Sequence, residues 1–324
     1  MKRQNAFEST GNRMLKGALH CHTTRSDGRG TPEAVIAKHA DHGYDFMALT
    51  DHRVYNMINH GDRPMTIIPG MELDSNFPEM FTRGVHCHHI VCIGPLEGNG
   101  FHQDQRFPRK YITRPEETQE LLDLAHSSGN LTIYCHPEWS GTPAREFEML
   151  RGNFAMEIWN SGCAIENELD TNAAYWDDLL ASGHRIFGVA SDDGHRMEHH
   201  CLGWVRVNSE NRVDAILDAL RRGAFYSSCG PEIYDFYVEN GVAHVACSDV
   251  AEINLRQLCV PYDMALPQEG QRTLREAEFR IRRGRGAMYV RAVVKDAQGR
   301  RAWTNPIFLE ESDFPDPLGT LPPG

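Results

Sequence analysis

Residues 15 to 22 read Leu15-Lys16-Gly17-Ala18-Leu19-His20-Cys21-His22, a short apolar run that closes on two histidines one residue apart. A run of this length between polar neighbours reads as a buried strand. Successive side chains of a strand point to opposite faces, so both imidazoles share one side and Cys21 takes the other. That arrangement suits chelation of one cation. Asp27 follows in a Ser26-Asp27-Gly28 turn, close enough in sequence to fold back over the same rim as a hard oxygen ligand.

The pattern recurs along the chain. Phe46 to His52, Thr66 to Glu72, His88 to Gly94, Leu131 to His136, Ala155 to Asn160 and Ile186 to His195 are further buried-strand candidates, most of them ending in a polar cluster. Helical patterns lie between some of them: Pro32 to His42, with Thr31 as N-cap and Pro32 at the first helical position, and Pro115 to Ser128, closed by Gly129. Strand then helix, repeated, means an α/β chain with a parallel sheet. Strand candidates with functional-looking C-terminal ends point to a closed (β/α) barrel, whose active site gathers at that face, and a flat doubly wound sheet is the alternative. After Ser228 the character changes: Glu232 to Val238, Ala243 to Cys247, Ile253 to Leu258, Phe279 to Arg283, Met288 to Val294 and Ala302 to Phe308 read as short strands, with Asn240-Gly241 as a hairpin turn. Glu311 to Gly324 is rich in Pro and Gly and is expected to lack regular structure. The expected division is therefore a barrel over 1–228, a β-rich C-terminal domain over 229–311 and an irregular tail over 312–324.

A length of 324 residues suits one large barrel or two modest domains. The formal net charge of -12 argues against an extended nucleic-acid surface or an anionic membrane as partner. A small anionic substrate held by cations remains compatible, because a bound ion dominates its local potential. The N-terminal residues carry no apolar run, which makes a cytoplasmic location the default expectation. Nine cysteines, an odd number without a C-x-x-C pair, fit reduced thiols better than a disulfide framework. Oligomeric state is not legible.

Six strand ends present metal-type ligands: His20-Cys21-His22, Thr50-Asp51-His52, Gly70-Met71-Glu72, His88-His89, His136-Pro137 and Ser191-Asp192-Asp193-Gly194-His195. Any one histidine is accounted for by a structural hydrogen bond. Jointly they are not, since a pocket gathering so many charged groups without cations pays a heavy desolvation cost. At the fourth strand His86, His88 and His89 all compete, and in the last block Asp192 competes with Asp193. Asp51 reads as a residue that orients a neighbour. Trp139, Trp159 and Trp176 read as packing more than as pocket lining, and Cys21, Cys135 and Cys201 lack a nucleophile–base arrangement.

Together, His20-x-His22 with Ser26-Asp27-Gly28, Leu49-Thr50-Asp51-His52, Pro69-Gly70-x-Glu72, His89-Ile90-Val91, His136-Pro137 and Asp193-x-His195 resemble, in order and spacing, the polymerase-and-histidinol-phosphatase (PHP) superfamily of metallohydrolases over roughly residues 15–228. The resemblance implies a distorted seven-stranded (β/α) barrel with two or three divalent ions, manganese, iron or zinc. Carried over, His20, His22, Glu72 and Asp193 hold one ion, Glu72 bridges to a second held by His89 and His136, and Asp27, His52 and His195 hold a third. Glu157 and Asn160, in Met156-Glu157-Ile158-Trp159-Asn160, resemble a block of one branch that includes carbamate-ester hydrolases. The expected activity is hydrolysis of a small phosphomonoester or phosphodiester by a hydroxide generated between the ions. Arg53 and Arg196 are placed to bind phosphate, and His195, if not taken by metal, to protonate the leaving oxygen. A carboxylic or carbamate ester hydrolase with the same centre is the alternative, and a catalytically silent metal-binding module a third reading.

Overall fold

The computed structural model describes residues 4–7, 13–58, 65–79, 84–257, 260–282 and 288–310. The expected irregular tail from Glu311 onward lies outside these. The expected strand Leu15 to His22 forms over Met14–Ala18 and pairs in parallel with Phe46–Ala48, which pairs in parallel with Thr66–Ile68. Pro69 then ends that pairing, since proline has no N–H to donate. The chain resumes at Gly70–Asn76 in a different sheet, so the single run Thr66 to Glu72 is two strands.

This second sheet runs in the order Phe187–Ser191, Ala155–Asn160, Leu131–Tyr134, Cys87–Ile93, Gly70–Asn76 and Lys110–Tyr111. Its first three strands are parallel, but Cys87–Ile93 runs antiparallel to both neighbours. The cause is local: the connection over 77–86 is shorter than the dozen or so residues a parallel crossover needs, so the chain returns in the opposite direction.

The first sheet extends the other way. Met14–Ala18 pairs with Trp204–Asn208, which pairs with Phe225–Ser228, and the sheet continues through Arg301–Thr304, Met288–Lys295 and Glu252–Gln257 to Val260–Ala265. The seven expected strands therefore do not close into one ring among the described residues; they divide between two sheets that share an apolar interior of Leu15, Phe46, Ile68, Val91, Ile133 and Val189. Single bridges tie the sheets at the rim, Cys21 to Gly194 and His52 to Glu72.

Helix Pro32–Asp41 starts as expected, with the Thr31 hydroxyl accepting from the Ala34 N–H and Pro32 at the first turn. The pattern at Pro115 to Ser128 becomes a 3₁₀ turn, Pro115–Thr118, running into helix Gln119–Ser127. No helix among the described residues is long and apolar enough to cross a membrane.

A third sheet pairs Gln4–Asn5, Ile233–Glu239, Val242–Val250 and Leu274–Arg280. Its hairpin turns at Asn240 and Gly241, φ 51° and 76°, the doubly left-handed turn that Asn-Gly favours. The C-terminal strands grip helix Asn172–Ala181: the buried Arg291 guanidinium donates to Asp177 at 2.6 and 3.0 Å and stacks on Trp176. Asp177→Ala leaves that cation buried without its carboxylate and is expected to cost about 3 kcal/mol in denaturant unfolding; a loss under about 0.5 kcal/mol would show that the pair contributes little.

Candidate metal centre

Backbone pairing brings the predicted residues together. Beyond the end of the first strand the chain stays extended, with the Asp193 N–H donating to the His20 carbonyl at 3.0 Å and the His22 N–H to the Gly194 carbonyl at 3.1 Å. His20, His22 and Asp193 are thereby laid side by side. The His52 segment is laid along Glu72 in the same way, the Arg53 N–H donating to the Glu72 carbonyl at 2.7 Å. Gly28 lets the Ser26-Asp27-Gly28 turn close over this rim, because a Cβ there would sit 2.5 Å from the His22 backbone.

Glu72 is the hub. Its Oε2 lies 3.4 Å from His20 Nε2, 3.3 Å from His22 Nε2 and 3.0 Å from His52 Nδ1. Its Oε1 lies 2.9 Å from His89 Nδ1 and 3.3 Å from His136 Nε2. Asp193 Oδ1 faces the same two imidazoles from the other side, 3.3 Å from His20 Nε2 and 3.0 Å from His22 Nε2. Asp27 Oδ1 stands 3.6 Å from His22 Nδ1 and 3.4 Å from His195 Nε2, and its Oδ2 stands 3.6 Å from His52 Nε2. All nine residues expected to hold metal thus meet in one cluster, and His52 spans two groups by facing Glu72 as well as Asp27.

Electrostatics follow from this crowding. Burial alone would push the Glu72 carboxyl up, yet the imidazoles of His52, His89 and His20 outweigh it and hold it well below the usual carboxylate range. Asp193 is lowered against its burial by His20, His22 and His136. Burial lowers His22, but Asp193 and Glu72 carry it up to about 9.

A partner behind the cluster decides which nitrogen faces it. The buried Glu157 carboxylate accepts from His20 Nδ1 at 2.7 Å, which leaves the His20 Nε2 lone pair aimed 3.2 Å from His22 Nε2. Glu157 also accepts from Ser191 Oγ, from the His136 N–H at 3.0 Å and from Asn160 Nδ2 at 3.0 Å. Asn160 in turn donates to Asp193 Oδ2 at 3.1 Å and caps helix Ser161–Asn167. Asp51 stays behind the rim, accepting from the Thr23 N–H and the Ser26 hydroxyl, and so holds the loop that carries Asp27.

The competing registers separate cleanly. His89 joins the cluster, whereas His88 Nδ1 pairs with the Tyr134 hydroxyl at 2.7 Å and His86 with Glu146 at 2.8 Å. Asp193 faces the imidazoles, whereas Asp192 turns to backbone N–H groups of Cys201, Leu202 and Gly203. His136 and Asp193 both hold left-handed backbone, φ 25° and 49°, strain of the kind that gathers at functional sites. The Cys21 and Cys135 thiols are buried and their pKa values pushed well up by burial, which removes them as nucleophiles.

The cluster floors a cavity of about 340 Å³. Arg196 lines it and pairs with Glu166 at 3.7 Å. A second lobe of about 520 Å³ shares Asp27, His52, His89 and Trp139 with the first and adds Arg25, Arg53, Arg106 and Arg109. Arg53 donates to Asp74 there, and Arg109 approaches the same carboxylate at 3.4 Å. Of the three tryptophans, Trp139 lines the cavity edge-on to His136, Trp176 is core, and Trp159 packs near Trp303. Arg25, Arg106 and Arg109 carry no sequence signal, since loop arginines in an acidic protein ordinarily pair at the surface.

No family model matches the sequence, and no curated protein matches it significantly. Solved structures similar to it include a protein containing a PHP-like metal-dependent phosphoesterase, a second metal-dependent phosphoesterase and an amidohydrolase. One is a two-domain protein from Bacteroides vulgatus containing a predicted PHP-like metal-dependent phosphoesterase, at 13% identity and TM-score 0.47, covering 93% of this chain and 96% of that one. Another is an amidohydrolase from Chromobacterium violaceum with bound sulfate and no metal, at 14% identity and TM-score 0.40, covering 56% of this chain and 88% of that one. A third, a candidate metal-dependent phosphoesterase from Bifidobacterium adolescentis, has 13% identity and TM-score 0.40 over 64% of this chain and 96% of that one. Similarity this distant says nothing about chemistry, which rests on the side chains.

Glu157→Gln should weaken metal affinity by about 10- to 100-fold, measured by competition with a chromogenic chelator, because the imidazole it steadies loses its orienting carboxylate. Unchanged affinity would remove Glu157 from this role.

Proposed function

We propose that the chain is a metal-dependent hydrolase acting on a small phosphomonoester or phosphodiester. The observation that carries this reading is the Glu72 carboxylate, with both oxygens facing five imidazoles. The donor set fits cations. Glu72 Oε2, Asp193 Oδ1 and His52 Nδ1 are buried without a hydrogen-bond partner among the described residues, and they face other ligand-type atoms at 3.0–3.4 Å, about the spacing of neighbouring ligands on one divalent ion. His20, His22, Glu72 and Asp193 would hold one ion, Glu72 with His89 and His136 a second, and Asp27, His52 and His195 a third; manganese, iron and zinc all suit such ligands. Bound there, divalent ions make water acidic enough to supply a nucleophile at neutral pH and offset charge developing on the phosphoryl oxygens.

The chain's own residues supply the rest. Arg25, Arg53, Arg106 and Arg109 give the second lobe a positive lining inside an acidic protein, which draws an anion toward the cluster. Arg53 reaches it while anchored to Asp74, and Arg196 approaches from the first lobe. Trp139 forms a wall against His89 and His136, excluding water from that side. His195 stands at the mouth with Nδ1 donating to the Asp193 carbonyl at 2.9 Å; where only two ions are held, its Nε2, beside Asp27, carries the proton for the leaving oxygen. Residues 1–228 carry this site, and the β-rich part over 229–311 supports it.

The discriminating experiment compares p-nitrophenyl phosphate, bis(p-nitrophenyl) phosphate and p-nitrophenyl acetate, each with and without chelator. Turnover of a phosphate ester that chelator abolishes is expected. Preference for the acetate would assign the site to carboxylic or carbamate esters.

Proton linkage gives a second test. At pH 7 the metal-free chain keeps a proton on His22, whose pKa is raised to about 9. A cation must displace that proton, so affinity rises with pH up to about 9 and the binding heat at pH 7 depends on the ionisation enthalpy of the buffer. The same proton stabilises the metal-free fold below the ordinary value of 6.5, a contribution lost as pH rises through about 9. A buffer-independent heat would contradict the assignment of His22.

A further inference from the structure

A second set of ligand-type side chains lies behind the cavity wall, unused by the proposed chemistry. His39 sits in helix Pro32–Asp41, Asp192 follows strand Phe187–Ser191, and His200 follows the short turn Met197–His199. His39 and Asp192 are fully buried and His200 is 2% exposed. One ligand atom from each lies within 4.8 Å of the others.

The hydrogen-bond inventory leaves these atoms unexplained. His39 Nδ1 stands 2.8 Å from the Val35 carbonyl, which can only accept, so the proton is on Nδ1 and Nε2 offers a lone pair. That buried Nε2 has no hydrogen-bond partner among the described residues and faces Asp192 Oδ2 at 3.8 Å, lone pair toward carboxylate. Asp192 is held in place by backbone donors: Cys201 N–H on Oδ2 at 2.6 Å, with Leu202 at 2.9 Å and Gly203 at 2.7 Å on Oδ1. Neither ring nitrogen of His200 has a hydrogen-bond partner among the described residues. Its ring lies 5.3 Å from that of His39 and is admitted only because residue 194 is glycine, where a Cβ would fall 2.4 Å from His200 Nδ1. The nearby Lys38 ammonium does not supply the missing donor, since it turns to the Met197 carbonyl.

Orphaned buried polar atoms are costly and rare, and here two, His39 Nε2 and one ring nitrogen of His200, converge with a buried carboxylate. We propose that His39, Asp192 and His200 form a separate, enclosed zinc site. Two imidazoles and one carboxylate are ligands zinc accepts with a fourth position left to water, and a single cation would satisfy the facing lone pairs of His39, His200 and Asp192 together. Its place in the fold makes it structural. It would pin helix Pro32–Asp41 and the 197–203 segment to the residue before Asp193, fixing the rim of the cavity. The inference is independent of the hydrolase reading, because none of these three residues faces the cavity cluster.

The test uses the full chain, purified and crystallised with zinc. Diffraction at the zinc edge should give an anomalous peak between His39 Nε2 and Asp192 Oδ2; a water or no density there, with zinc present in the crystal, overturns the proposal. In solution, elemental analysis of the volume-conserving variants His39→Phe and His200→Phe should show about one equivalent of zinc fewer per chain than wild type, while Glu72→Gln retains that equivalent. Unchanged stoichiometry in both variants also overturns it. Should a variant fail to fold, the anomalous map decides alone.

Discussion

Glu72→Gln is expected to lower turnover by about 10³-fold or more, the several kcal/mol that charge stabilisation by bound cations supplies, in a chain that remains folded. The side chain keeps its size and loses its charge. Both Glu72 oxygens serve the cluster, Oε2 against His20, His22 and His52 and Oε1 against His89 and His136, so one substitution uncouples every imidazole group at once. Metal content of the variant should fall with activity. A variant with normal rates and normal metal content would show that these imidazoles are organised without the carboxylate, and the proposed centre would fail. His22→Ala makes a weaker version of the same test, because its two ring nitrogens face Glu72 and Asp193 on one side and Asp27 on the other.

Chelation should have an equally large effect. Stripping metal is expected to take hydrolysis to background, with recovery on adding back manganese or zinc. Stability should fall with it, because a ligand at about a thousand times its dissociation constant contributes roughly 4 kcal/mol that disappears when it is removed. The cause is visible in the packing: without cations, Glu72 Oε2 and Asp193 Oδ1 are left buried with no hydrogen-bond partner among the described residues. Turnover and a thermal midpoint that both survive complete chelation would exclude a metal role in either.

Much of the candidate centre was legible from short stretches. His20-x-His22 follows from the period-two alternation of extended chain, whereas the choice of His89 over His86 and His88 and of Asp193 over Asp192 came from the resemblance, through the Ile90-Val91 that follows His89 and the Asp193-x-His195 spacing. The start of helix Pro32–Asp41 and the Asn240-Gly241 hairpin were readable because capping and turn chemistry act over a few residues. The expected single ring of strands was not. The split at Pro69 and the reversed strand Cys87–Ile93 send the walls into two sheets, and strands Trp204–Asn208 and Phe225–Ser228, absent from the sequence reading, carry the first sheet into the C-terminal strands.

By itself, then, the sequence determined which short stretches carry cation-binding side chains and, through the two-residue period of extended chain, that His20 and His22 share a face. Tertiary structure alone decided that Glu72 stands at the centre, that Glu157 orients His20 across 137 residues of chain, that four loop arginines line one lobe, and that His39, Asp192 and His200 are shut away together. Those outcomes depend on distances between segments remote in sequence. Such distances are set by strand order and packing of the whole interior, and no local pattern encodes them.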